Sequence, residues 1–67
     1  MSNVLVGYEY KENGKNGNDQ ILLSDELFME YIVENPDKSV KQVVKMAVQS
    51  CLPFSKVVRV NYFDIAE

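Results

Sequence analysis

Apolar positions recur along this chain with two different periods. From Ser39 to Leu52, residues Val40, Val43, Val44, Ala47, Val48, Cys51 and Leu52 fall at i, i+3, i+4, i+7, i+8, i+11 and i+12, which is one face of an α-helix. Lys38, Lys41, Gln42, Lys45 and Gln49 take the other side. Valine loses rotamer freedom in a helix. A stripe built mainly of valine therefore predicts a helix held by packing on a sheet rather than by local propensity.

The flanking segments alternate instead. Val4, Val6, Tyr8 and Tyr10 point one way and Leu5, Gly7, Glu9 and Lys11 the other, the pattern of a half-buried strand. Glu12 to Asn18, ENGKNGN, holds two Asn-Gly pairs, and both residues tolerate the positive φ of a hairpin turn. A shorter strand is expected at Gln20 to Leu23, leaving a seven-residue connection with a mobile tip. Ser24 suits an N-cap, with Asp25 and Glu26 at the positive end of the helix dipole. The helix from Asp25 to Glu34 would bury Leu27, Phe28, Tyr31 and Ile32, and Asn35-Pro36 ends it. Asp37 or Ser39 caps the central helix and Pro53 closes it. Lys56 to Ile65 alternates again, with Val58, Val60 and Tyr62 on one side and Val57, Arg59, Asn61 and Phe63 on the other. The expected fold is α+β: strand-strand-helix-helix-strand, a three-stranded, largely antiparallel sheet with the helices packed on one face.

Length adds a constraint. Sixty-seven residues make a single small domain, 1–67. Such a chain buries only roughly 60% of its unfolded surface, so a homodimer or another partner would complete its burial. Cys51 is the only cysteine; on the apolar stripe it reads as an inert core residue in a reducing compartment. The start, MSNVLVGYEY, has neither the basic lead nor the long apolar run of a signal peptide, and no stretch approaches a transmembrane span. A cytoplasmic protein without membrane contact is expected.

Charge changes the picture more than composition does. Residues 1–37 carry eight acids against Lys11 and Lys15, a net −6, while residues 38–67 carry a net +3. Such two-sidedness favours charge-steered association. Catalytic chemistry has little to use. There is no histidine, the usual general base near neutral pH. The glycines match neither a phosphate loop nor a dinucleotide fingerprint, and no zinc ligand set exists. Calcium at Glu12, Asn16, Asn18 and Asp19 lacks EF-hand spacing. The expectation is a non-enzyme with no cofactor and no metal.

Two ridges remain as candidate binding surfaces. Glu26, Glu30 and Glu34, at i, i+4 and i+8, form an acidic ridge, read either as a solvated face or as a dock for a basic partner. Lys38, Lys41 and Lys45 form a basic ridge on the central helix, with Arg59 on the last strand. These are read as a solvated face, as counter-charges to the first helix, or as contacts to nucleic acid. The net charge of −3 disfavours the last. Tyr8, Tyr10, Tyr62 and Phe63 could stack bases but fit core or cross-strand pairs better. Simple strand pairing would put Glu9, Lys11, Arg59 and Asn61 on one uncovered sheet face, beside free strand edges that invite another chain.

The segment AVQSCLPFSKVVRVNYF, a helix running through a proline turn into a V-x-R-V strand, resembles the small phage inhibitors of bacterial RNA polymerase. The likeness covers roughly residues 40 to 63. It implies a hairpin, a helix and a third strand, with an arginine pair on that strand and a hairpin acid engaging the enzyme. Arg59 takes the first arginine's place and Asn61 stands at the second; the helix from Asp25 to Glu34 is an addition. The expected function is therefore binding and modulation, foremost inhibition, of a larger protein such as a nucleic-acid-processing machine. Glu26, Glu30, Glu34, Lys41, Lys45, Arg59 and Asn61 are the candidate contacts. The alternatives are a nucleic-acid-binding module using Lys38, Lys41, Lys45 and Arg59, and a self-associating accessory protein.

Overall fold

A computed structural model describes residues 3–66. The elements run β1 (Asn3–Glu12), β2 (Lys15–Ser24), α1 (Asp25–Glu34), α2 (Val40–Cys51) and β3 (Lys56–Ala66). The sheet has the order β2-β1-β3 with both pairings antiparallel. The expected α+β architecture is the one observed.

The hairpin is tighter than the sequence suggested. Asn13 (φ 52°) and Gly14 (φ 78°) form the turn, both at the positive φ of a type I′ turn, and Glu12 already pairs with Lys15. β2 therefore begins five residues before the expected Gln20, and the seven-residue loop does not exist. The second Asn-Gly pair lies inside the strand. Gly17 sits opposite Tyr10, whose ring occupies the place a β-carbon there would need. Gly14→Ala should cost about 1–2 kcal/mol, the penalty of a left-handed L-residue, read as a lower midpoint in urea.

β3 departs from simple alternation. Gly7 pairs with Tyr62 but Tyr8 with Val60, and Glu9 with Arg59 but Tyr10 with Val57. Asn61 and Val58 are thus extra residues, and each bulge resets the phase of the strand. Buried residues fall at Val57 and Val60, while Val58, Arg59, Asn61 and Tyr62 are exposed. The expected grouping of Val58, Val60 and Tyr62 on one side is overturned for that reason.

The core forms where α2 meets the sheet. Val43, Val44, Ala47 and Val48 pack with Val4, Val6, Tyr8, Leu23, Phe28, Val57 and Val60, each fully buried large aliphatic side chain contributing roughly 1.5–3 kcal/mol. Leu27, Tyr31 and Ile32 cover the rim. Ser24 caps α1, accepting from the Leu27 N–H at 3.2 Å. Ser39, not Asp37, caps α2 in a reciprocal box with Gln42. The buried stripe is shorter than its periodicity: Val40 and Cys51, at the two ends of α2, are exposed. Cys51 is thus a surface thiol rather than the expected core residue, because the last turn of α2 adjoins the turn into β3.

Candidate binding site

Both helices contribute to one core on one side of the sheet, so the opposite side carries the alternate residues of each strand. There Leu5 pairs with Leu22, which is 61% exposed. One step along, the Tyr62 ring, itself 46% exposed, lies flat over Gly7 in the space a side chain would fill. Tyr62, Leu5 and Leu22 are the apolar residues of this face, with Asp64 opposite Leu5 and polar pairs further along. Arg59 Nε stands 3.5 Å from Glu9 Oε1, with the arginine side chain 69% exposed. Asn61 donates to Asn18 Oδ1 at 3.1 Å, and Asn16 donates to Glu9 Oε2 at 3.5 Å. An ion pair so open to water contributes little to stability and leaves its groups available to a partner. Of the four residues expected on one face, Glu9, Arg59 and Asn61 are joined there through these contacts, while Lys11 pairs with Lys56 further along the strand.

The other candidates separate. Lys41, Lys45 and Arg59 line a groove of about 370 Å³ between α2 and the edge of β3, with Ser39 and Val58 beside them. Lys38 lies outside it, in an open depression of about 580 Å³ shared with Tyr31, Met46 and Gln49 and with Lys45, which lines both hollows. Glu26, Glu30 and Glu34 are all exposed along α1. Among the described residues no ion pair joins these acids to Lys38, Lys41 or Lys45.

The two helix starts also differ. The first turn of α1 carries Asp25 and Glu26, which complement the dipole. That of α2 carries no acid; Lys38 and Lys41 flank its cap instead, so positive side chains stand at an already positive helix end. Burial raises the Tyr8 hydroxyl above its ordinary value of 10.0, with Asp19 and Tyr10 adding to the effect; Tyr8 is a core group and not a binding one.

Leu22 and Val58 were not identified as surface residues from the sequence, because each sits in an unbroken apolar run. Phe54 is a third such residue. It is 90% exposed in the turn after α2, where the Ser55 N–H bonds back to the Leu52 carbonyl; a Pro-Phe step outside any helix or strand was its available signal.

Among the described residues, no three potential metal ligands converge and no helix is long and apolar enough to cross a membrane. Comparisons with protein-family models, curated proteins and solved structures found no match.

Proposed function

We propose that this chain is a small non-enzymatic binding protein of the cytoplasm that docks on a larger protein and modulates it, foremost by inhibition. The observation that carries this reading is the sheet face left bare by both helices, with Tyr62, Leu5 and Leu22 at its centre and the Arg59–Glu9 and Asn61–Asn18 pairs around them. An aromatic and aliphatic centre inside a polar rim is the composition of a protein-binding hot spot. The phage-inhibitor likeness suggests a partner from the nucleic-acid-processing machinery of a host cell.

Immobilised full-length protein should retain one stoichiometric protein from a nuclease-treated bacterial lysate. Tyr62→Ala should lower its affinity for that protein by roughly 30-fold or more, the effect of a hot-spot residue, with Arg59→Ala weaker in the same direction. Both variants should keep the parent's circular dichroism and melting temperature. Retention unchanged by Tyr62→Ala removes the open face from the site. Recovery abolished by nuclease would replace this reading with a nucleic-acid-binding one, and melting that rises with protein concentration would replace it with self-association.

A further inference from the structure

We infer that the groove between α2 and β3 receives a short, extended, acidic peptide segment of the partner. This rests on the docking reading above and names the chemistry recognised at one margin of that surface. Three observations converge on it. Lys41, Lys45 and Arg59 line the groove, and among the described residues neither lysine has a carboxylate partner. Ser39 lines it too, which places the start of α2, capped by Ser39 but without an acid in its first turn, on the same wall. Lys41 and Lys45, one helical turn apart, therefore repel each other and the helix end in the free protein, and a bound carboxylate relieves both repulsions.

The strand edge selects a peptide. β3 pairs with β1 on one side only, so its other edge offers backbone donors and acceptors to an added strand. The bulges at Val58 and Asn61 bend that edge and confine regular pairing to a few residues. Val58, 39% exposed, provides an apolar contact for one side of such a segment, while its alternate carboxylates meet the lysines. Nucleic acid fits less well. The groove lining has no aromatic ring for a base, and a long polyanion would meet the field of a chain with net charge −3.

The test is fluorescence anisotropy with the full chain and three fluorescein-labelled probes: a Thr-Glu repeat peptide, a Thr-Lys repeat peptide and oligothymidylate. The acidic peptide should bind saturably and the basic one should not bind. Lys41→Glu and Lys45→Glu should each weaken the acidic peptide by about tenfold or more, as reversal of a close charge does. The paired Lys41→Gln, Lys45→Gln variant should weaken it without introducing any acid, and Glu30→Gln should have no effect. Absence of saturable binding, or binding indifferent to Lys41 and Lys45, overturns the assignment. Oligothymidylate bound more tightly than the acidic peptide overturns it in favour of a phosphate site. If the peptide fails while a Tyr62-dependent protein partner is still captured, the groove falls and the docking reading stands; the converse result rejects the docking face alone.

Discussion

Val44→Asp is expected to leave the chain unfolded, with collapsed amide dispersion in NMR spectra and no cooperative thermal transition. Val44 is 0% exposed at the centre of the α2 stripe. Its neighbours in the core are valines, Ala47, Leu23, Phe28 and Tyr8, none of which carries a positive charge to offset a carboxylate. The substitution loses roughly 1.5–3 kcal/mol of apolar burial and adds the cost of an unpaired buried charge, or of neutralising it. At the usual 0.05–0.15 kcal/mol per residue, a chain of this size has about 3–10 kcal/mol to lose. The two penalties together reach that range. A Val44→Asp protein that melts like the parent would mean that α2 presents a different face to the sheet.

That prediction rests on the part of the molecule most legible from sequence. α2 and α1 are read correctly because periodicity, caps and terminators agree: Ser24 and Ser39 bond to the amides expected of them. Two features of the sheet were hidden. The polar first half of β2, KNGNDQ, shows no apolar alternation, since it pairs with β1 at the edge and buries little. The bulges in β3 were invisible because local alternation carries no record of an inserted residue; only the pairing to Gly7, Tyr8, Glu9 and Tyr10 exposes them. The candidate site was legible as charge but not as place. The i, i+3, i+7 spacing of Lys38, Lys41 and Lys45 indicates a ridge, whereas only the tertiary fold puts Lys41 in a groove with Arg59, Lys38 beside Tyr31, and Lys45 on the border of both. The Tyr62 patch depends on Gly7 lying opposite it in another strand, a long-range fact without a local signature.

Gln49→Leu is expected to lower stability by about 2–3 kcal/mol, the sum for three hydrogen bonds at roughly 1 kcal/mol each with some rescue by water. On the helical wheel Gln49 belongs to the polar side of α2 and looks dispensable. Its amide instead clasps the turn into β3. Nε2 donates to the Leu52 carbonyl at 3.0 Å and to the Ser55 carbonyl at 2.8 Å, and Oε1 accepts from the Val57 N–H at 2.8 Å. Val57 is buried, so its amide has poor access to water once the acceptor is gone. Leucine keeps the bulk of the side chain and removes all three bonds. Glutamate keeps the acceptor for Val57 but loses the donors, so Gln49→Glu should fall between leucine and the parent. Urea melts order the three proteins, and hydrogen exchange at the Val57 amide reports the lost acceptor directly. Equal midpoints would show that the proline turn positions β3 unaided. The expected ordering would mean that one side chain sets where β3 starts, and with it the register that brings Arg59 opposite Glu9 and Tyr62 over Gly7.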